Sequence, residues 1–318
     1  IAFRNMIDQL TWMSAYSKKG AYGKIDYLVK NVAYPDFIMD DTALTNYYAA
    51  LDISTTDSYT ELDEKIYIFN MRTSYASLTS NGTERDDFLL GPGLVNAWYQ
   101  PEMNSITFPA AILNQPFYDE NWPASLNYGA FGLVAGHELT HGFDDQGVQW
   151  DGIGALSDWL SESSAEGFRN MADCVVNEYD GFCPLNGTGK VPACVNGDQT
   201  QGENIADNGG IHAAWRGYKD YVALNGPDPQ LPDPLFSKLT HDQLFFMSFA
   251  AVWCEIPRST DDLYTQIMTD AHSPSKYRVF GTIQNFPAFR EAFNCPVDSA
   301  YAPSKHCSVW VPEVEVQP

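Results

Sequence analysis

The chain has few basic residues, no paired cysteine motif and no long apolar run. Lys and Arg number 18 against 41 Asp and Glu, so the formal charge of −23 repels nucleic-acid phosphates and anionic lipid surfaces. Its six cysteines include no C-x-x-C pair, which argues against a thiolate zinc site. It also lacks the run of about 20 apolar residues that a membrane span needs. We therefore expect neither nucleic-acid binding nor a span within these residues.

The 318 residues are 44% hydrophobic and 14% aromatic, enough for one large or two ordinary globular domains. The chain starts at Ile1 without an initiator Met or a signal-peptide pattern, and we expect a processed or excised piece of something longer. Two glycosylation tripeptides begin at Asn81 and Asn186, and the cysteine spacing suits disulfides. Together with the acidic composition, these features predict an extracellular or lumenal protein.

Hydrophobic spacing predicts a mainly helical chain with one small strand pair. Residues 3–30 carry apolar side chains at helical intervals, which favours helical hairpins. Further helices are expected at 43–51, 62–78, 124–143, 161–178, 203–223, 241–254 and 286–293. β-rich stretches at 94–99 and 105–108 predict the strand pair, and a cysteine-rich loop extends to about residue 200.

One apolar helical stretch carries His137-Glu-Leu-Thr-His141, an H-E-x-x-H match. On a helix, positions i and i+4 lie on one face about 6 Å apart, so two imidazoles can share one tetrahedral zinc ion. Glu138 could then reach a zinc-bound water and act as general base. The alternative is a pair of surface histidines, which fits badly because the apolar residues before them would be exposed as well.

A candidate third ligand follows Gly202, where a helix is predicted to begin. Glu203 and Asp207 at positions i and i+4 share a face of that helix. One carboxylate can bind the metal while the other accepts the spare N–H of a ligating histidine. Acidic residues also favour the first turn of a helix through its dipole, so the residues alone leave both interpretations open.

These segments also carry a resemblance that extends over residues 7–310. Its motifs are Val95-Asn-Ala-Trp-Tyr99, Phe108-Pro-Ala-Ala-Ile-Leu113, Gly136-His-Glu-Leu-Thr-His-Gly-Phe-Asp-Asp145, Gly202-Glu-Asn-Ile-Ala-Asp-Asn-Gly-Gly210, Phe245-Phe246, Val252-Trp-Cys254, His272-Ser-Pro274, Arg278 and Cys307-Ser-Val-Trp310. In this order they resemble the neprilysin and endothelin-converting-enzyme family of zinc metallopeptidases. The resemblance implies an α+β, mainly helical fold: a zincin, thermolysin-like catalytic domain with a small β-sheet and part of a helical lid domain.

The resemblance also implies the roles of the site residues. One Zn²⁺ is expected on His137, His141 and Glu203, with Glu138 as catalytic base, Asp207 orienting His137 and His272 stabilising the oxyanion. A zinc-activated water would attack the peptide carbonyl without a covalent intermediate. From the residues alone, His272 before Ser-Pro is more typical of a loop or core position.

Substrate-binding residues are implied in the same way. Asn96 and Ala97 would hydrogen-bond the peptide backbone, and Arg278 would bind a substrate carbonyl. An apolar pocket would select a large hydrophobic residue just after the scissile bond; its candidates are Phe108, Ile112, Phe117, Leu133, Val134, Val252 and Trp253. Each set also has a purely structural interpretation. Asn96 and Ala97 fit an ordinary edge strand, Arg278 fits a structural ion pair, and each apolar residue taken singly fits the hydrophobic core. Trp98 departs from the family, which usually has Tyr or Phe there.

The resemblance further implies the organisation of the whole protein. Residues 1–55 correspond to the end of the lid domain and residues 56–318 to the catalytic domain. Disulfides are expected between Cys174 and Cys307 and between Cys183 and Cys194, while Cys254 and Cys295 would bond to a missing N-terminal segment. The expected location is extracellular, secreted or as the ectodomain of a single-pass membrane protein whose anchor lies outside this chain. The tail Val311 to Pro318 extends past the family's usual end, and we assign it no role.

One other function and two other peptidase families would account for parts of this pattern. A catalytically silent ectodomain, serving as a binding or scaffold protein, would keep a structural zinc, but such sites usually fill all four positions with Cys and His. A bacterial thermolysin-like protease has a much shorter spacing between the second histidine and the third ligand. A metzincin needs a third histidine at a spacing that this chain lacks.

Overall fold

The computed structural model of the protein describes residues 1–79, 82 and 84–312. Asn81, one predicted glycosylation site, lies outside the described residues, as does most of the predicted tail. Asn186, the other site, is exposed on a loop. No helix within the described ranges combines the length and apolarity needed to cross a bilayer.

Helices make up most of the fold, as predicted. They are α1 (Ala2–Gln9), α2 (Ala15–Asp26), α3 (Asp41–Tyr47), α4 (Tyr59–Ser77), α5 (Ala124–Asn127), α6 (Leu133–His141), α7 (Glu162–Asp180), α8 (Gly197–Asn225), α9 (His241–Val252), α10 (Thr260–Thr269), α11 (Ser275–Gln284) and α12 (Pro287–Phe293). Capping residues set several starts: Ser58 forms a capping box with Glu61 at α4, and Thr240 does so with Gln243 at α9.

A three-stranded sheet lies beside the helices. Its strands are β1 (Val29–Ala33), β2 (Trp98–Gln100) and β3 (Ser105–Pro109), in the order β1-β3-β2. The predicted strand pair is confirmed, because β2 and β3 pair antiparallel. The helical prediction was wrong for residues 29–30, which lie in β1. That strand pairs parallel with β3, and buried Asn31 donates a hydrogen bond to Thr107 of β3, so a tertiary partner overrides the local pattern.

The longest helix, α8, lies at the centre of the packing. It contacts α6, α7, α11 and also α1 from the start of the chain. Side chains of α1 and α2, including Met6 and Ala21, share one buried core with Phe143, Val175 and Trp310. The division at residue 55 between lid and catalytic domains stays a prediction; α1 packs directly against α8, and α2 packs against α1.

Two helical predictions need correction, and two helices were not predicted. The helix predicted from residue 203 starts at Gly197, where the Asn196 side chain caps it, so Gly202 lies inside α8 and does not break it. The helix predicted over 124–143 consists of α5 and α6 joined by a π-helical turn, Tyr128–Gly132. The sequence also gave no sign of α10 and α11, which are short and carry few of the buried apolar residues that mark helices by periodicity.

One disulfide joins distant parts of the chain and a second closes a local loop. Cys174 on α7 is bonded to Cys307, which ties the C-terminal segment to the core beneath Trp310. Cys183 is bonded to Cys194 and closes the loop between α7 and α8. Cys254 and Cys295 are free thiols, the first exposed and the second partly buried.

Candidate metal centre and substrate cleft

Three predicted ligands from α6 and α8 converge at one point. The Nε2 atoms of His137 and His141 lie 2.9 Å apart. Glu203 places Oε2 3.2 Å from His137 Nε2 and Oε1 3.5 Å from His141 Nε2. Ligand atoms of a tetrahedral zinc site are about 3.3 Å apart, and two imidazoles with one carboxylate are a catalytic donor set that leaves one position open. The residues present therefore fit a zinc ion.

Each histidine is held by a carboxylate on its other ring nitrogen. Asp207 Oδ1 lies 2.8 Å from His137 Nδ1, and Asp144 Oδ2 lies 2.6 Å from His141 Nδ1. When Nδ1–H donates to the carboxylate, the Nε2 lone pair is free to bind a metal. The sequence motifs predict no role for Asp144, although its position three residues after His141 is a signal for a partner across the end of the helix.

The centre is buried and highly charged. Burial disfavours the imidazolium form of His141, but hydrogen bonds with Asp144 and Glu203 outweigh it and raise the pKa of that ring well above its usual range. Burial also raises the carboxyl pKa of Glu203, yet the two histidines reverse the effect and lower it strongly. Buried groups of opposite charge that shift each other's pKa values this strongly are typical of a functional site.

Glu138 lies beside the two histidines with its side chain nearly buried. Burial raises the pKa of its carboxyl, and the charges of His137 and His141 act in the opposite direction. The residue lines the cleft and is not part of the ligand cluster. A carboxylate with a raised pKa is a stronger base, so in this position it can take a proton from water and give it up again.

His272 and Arg278 approach the centre from the α10–α11 region. His272 Nε2 lies 3.3 Å from Glu203 Oε2, and its Nδ1 lies 2.7 Å from Asp270 Oδ1. About half of the His272 side chain is exposed. Buried Arg278 donates to both oxygens of Asp207 at 2.7 and 2.8 Å, and its guanidinium stacks 3.8 Å from the ring centroid of Trp253. Arg278 thus makes the structural ion pair that the residues alone suggested, at the edge of the cleft.

A cleft of about 700 Å³ opens over the centre. Predicted substrate-binding residues that line it are Asn96, Ala97, Ile112, Phe117, Val134, Val252, Trp253 and Arg278. Phe108 and Leu133 are placed elsewhere: Phe108 packs against Phe131, and Leu133 is fully buried among α8 and α9. Phe108 shares a buried cluster with Ile112 and Val134, and Val252 and Trp253 pack against the cluster that contains Leu133. The cleft also contains residues that the sequence analysis did not single out as binding residues, among them Tyr99, Asp145 and Gln199.

Comparison with known proteins places this geometry in context. The sequence model of peptidase family M13 matches residues 96–309. Neprilysin-1 of Caenorhabditis elegans is 42% identical over 97% of this chain, and endothelin-converting enzyme 1 of Homo sapiens is 40% identical over 97%. The chain spans 40% and 39% of the lengths of these two relatives.

Solved structures show the same likeness. A zinc metalloprotease of Mycobacterium tuberculosis, crystallised with an inhibitor, superimposes with a TM-score of 0.84 at 32% identity, covering 97% of this chain and 45% of that one. A Haemonchus galactose-containing glycoprotein complex gives a TM-score of 0.81 at 34% identity, covering 97% of this chain and 49% of that one.

Proposed function

Because the chain belongs to peptidase family M13, we propose that it is a zinc-dependent peptidase that hydrolyses oligopeptides on the amino side of large hydrophobic residues. The observation that carries this proposal is the convergence of His137, His141 and Glu203 beside the buried carboxylate of Glu138, all open to one cleft.

The proposed metal site consists of these three ligands, with Asp207 and Asp144 holding the two imidazoles. Zinc, when bound, makes water more acidic and polarises the scissile carbonyl. Glu138 takes the proton from the attacking water and then delivers it to the leaving amine. The raised pKa of Glu138 suits this exchange, because a base must also be able to act as an acid in the second half of the reaction.

His272 is proposed to donate a hydrogen bond to the oxyanion. Its Nδ1 and its backbone N both lie within hydrogen-bonding distance of Asp270 Oδ1, which holds the ring so that Nε2 points toward the centre. Partial exposure of the ring leaves Nε2 accessible to a substrate oxygen. A positioned donor at this point stabilises charge that develops only in the transition state.

The proposed substrate specificity follows from the wall of the cleft. Ile112, Phe117, Val134, Val252 and Trp253 supply apolar surface that would favour a large hydrophobic side chain after the scissile bond. Asn96 and Ala97 precede β2, an edge strand of the sheet, where a peptide can add as a further strand. Arg278 at the same wall is proposed to bind a substrate carbonyl.

The wider organisation is proposed on the same family membership. An N-terminal portion of the same protein, disulfide-linked through Cys254 and Cys295, would complete the lid, and the protein would act outside the cell as a secreted enzyme or membrane ectodomain. Intact mass under reducing and non-reducing conditions tests the linkage on protein from its natural source. A single species of unchanged mass with two free thiols would contradict it.

Peptide hydrolysis itself is tested with fluorogenic peptides that differ only in the residue after the cleavage point, Phe or Leu against Asp. We expect cleavage before Phe and Leu, loss of activity with a chelator, and recovery with zinc. Glu138→Gln should abolish turnover and keep zinc, whereas Glu203→Val should lose the metal. Zinc binding without turnover in the wild type would favour the silent ectodomain, and near-normal turnover by Glu138→Gln would overturn the mechanism.

A further inference from the structure

We propose that Lys24 is a positioning residue for the metal centre: its ammonium holds the turn that presents two backbone N–H groups to Asp144, which in turn orients His141. Lys24 lies on α2, more than a hundred residues before the turn that it contacts. The inference deepens the proposed function, since its consequence for the metal rests on His141 being a ligand. The hold on the turn itself can be measured without metal.

Lys24 is buried to an unusual degree for a lysine, with 1% of its surface exposed. Its Nζ donates to the carbonyl oxygens of Gly147 and Trp150, both at 2.6 Å. These carbonyls bracket the short 3₁₀ turn Gly147–Gln149, which follows the zinc-binding motif. An ammonium removed from water needs such acceptors, so the lysine and the turn depend on each other.

The same turn holds Asp144 from its other side. The backbone N–H groups of Gln146 and Gly147 donate to Asp144 Oδ1 at 2.9 and 2.7 Å. The second oxygen of Asp144, Oδ2, is the one 2.6 Å from His141 Nδ1. Asp144 is therefore fixed between the turn and the imidazole, and a displacement of the turn moves the carboxylate that sets the ring's orientation.

The surroundings of Lys24 offset part of the cost of burying its ammonium group. Burial lowers the pKa of its amine to about 7, and the carboxylates of Asp144 and Asp151 act in the opposite direction. The rings of Tyr99 and Phe143 have their centroids 5.8 and 5.7 Å from Nζ. Opposite charges and aromatic faces are the environment that compensates a buried cation.

Arg85 provides a matched control. Its guanidinium also donates to backbone carbonyls, those of Tyr27 at 2.5 Å, Met103 at 2.6 Å and Gly152 at 3.2 Å. It therefore clamps the neighbouring loops as Lys24 does. None of these three carbonyls belongs to the turn that holds Asp144, so loss of Arg85 should destabilise the fold without disturbing His141.

The experiment compares Lys24→Met with Arg85→Met in the full chain. For Lys24→Met we expect the amides of Gln146 and Gly147 to exchange with solvent at least about tenfold faster in metal-free protein. Zinc affinity, measured by competition with a chelator, should fall by about 10- to 100-fold. For Arg85→Met the amide exchange rates and the zinc affinity should stay within about twofold of wild type, even if its melting temperature falls as much as that of Lys24→Met.

A lowered melting temperature in Lys24→Met with unchanged amide exchange and unchanged zinc affinity would overturn the proposal and leave Lys24 a purely structural residue. If Lys24→Met does not fold, Lys24→Gln replaces it, because this variant retains one donor group and should show smaller changes in the same direction. Wild-type amide exchange and zinc affinity in Lys24→Gln would also overturn the proposal. A wild type that binds zinc without cleaving peptides would contradict the proposed function alone, because both readouts for Lys24 are independent of turnover.

Discussion

Gly136 and Gly210 face each other where α6 crosses α8, with no room for a side chain between them. A Cβ atom on Gly136 would lie 2.5 Å from the carbonyl oxygen of Gly210, and one on Gly210 would lie 2.7 Å from the backbone N of His137. Backbone contact at this point brings the histidines of α6 within reach of Glu203 and Asp207 on α8. The glycine pair thus sets the spacing between the two halves of the proposed metal site.

Gly210→Ala should therefore weaken both the fold and the metal site. Overpacking at a helix contact costs about 1–3 kcal/mol of unfolding free energy, and the displaced helices should bind zinc less tightly. Gly23→Ala on α2 is the control, because no atom beyond its chain neighbours and the nearby backbone of its own helix lies within 4 Å of the added methyl group. That control should be neutral or more stable by about 0.5–1 kcal/mol. Urea unfolding and chelator competition measure the two effects, and wild-type zinc affinity in Gly210→Ala would show that the helix spacing is not critical.

The neighbouring carboxylates of Asp144 and Asp145 allow two effects on zinc binding to be separated: the orientation of His141 and the negative charge near the site. Asp144 contacts the imidazole of His141, whereas the Oδ2 of Asp145 accepts from the Gln146 side chain. Asp144→Asn should lower zinc affinity by about 10- to 100-fold. Asp145→Asn removes the same charge nearby and should change zinc affinity by less than about threefold. Equal losses in the two variants would mean that net negative charge, and not the orientation of His141, is what the site requires.

The part of the site that the sequence predicted is the part encoded locally or by the family motifs. His137, Glu138 and His141 share one helix, so their mutual placement follows from the helical repeat. Asp144 escaped prediction because it lies beyond the end of α6, where the chain turns back toward His141. Lys24 escaped because its partners are 123 and 126 residues away, and no local pattern reports such contacts.

Local signals misled the prediction where tertiary contacts decide. Gly202 suggested a helix break, but it lies inside α8, and its lack of a side chain leaves room for Asp145, whose Oδ1 would stand 2.7 Å from a Cβ there. Residues 29–30 continued a helical pattern, yet they pair with β3. In both cases a contact with residues far away in the sequence decides the local structure, and intrinsic helix or strand propensity does not include such contacts.

Glu178 should make the protein less stable at alkaline pH. Burial raises the pKa of its carboxyl to about 7, and the Asn285 side chain donates to it at 2.7 Å. A folded-state pKa above the unfolded value of 4.5 means that the stabilising contribution is present below pH 4.5 and is lost as the pH rises through 7. Glu178→Gln keeps an acceptor for Asn285 and should gain about 2–3 kcal/mol relative to wild type between pH 5 and 8.

Glu166→Gln is the control for Glu178, since it changes an exposed glutamate on the same helix. Urea unfolding at several pH values should place that control within about 0.5 kcal/mol of wild type throughout. A pH-independent difference between Glu178→Gln and wild type would show that Glu178 is ionised in the fold across this range.

His212 should act in the opposite sense and destabilise the protein in acid. The residue lies partly buried in α8, its ring meets that of Phe286 edge-on with 4.5 Å between the centroids, and its buried Nε2 has no hydrogen-bond partner in the described part of the chain. Burial lowers the pKa of the ring to about 3, and the charges of Arg216 and His306 act in the same direction. The unfolded chain therefore takes up a proton below pH 6.5 that the folded chain does not, so stability is lost as the pH falls from 6.5 toward 3.

His212→Leu removes this titration and the unpaired nitrogen together. Relative to wild type, it should retain about 2 kcal/mol more of its unfolding free energy when the pH is lowered from 7.5 to 5. The measurement is urea unfolding of the metal-free proteins, so that protonation of the proposed ligands contributes equally to both. Parallel pH curves would mean that the folded and unfolded chains take up this proton equally, so that His212 is protonated in the fold at pH 5.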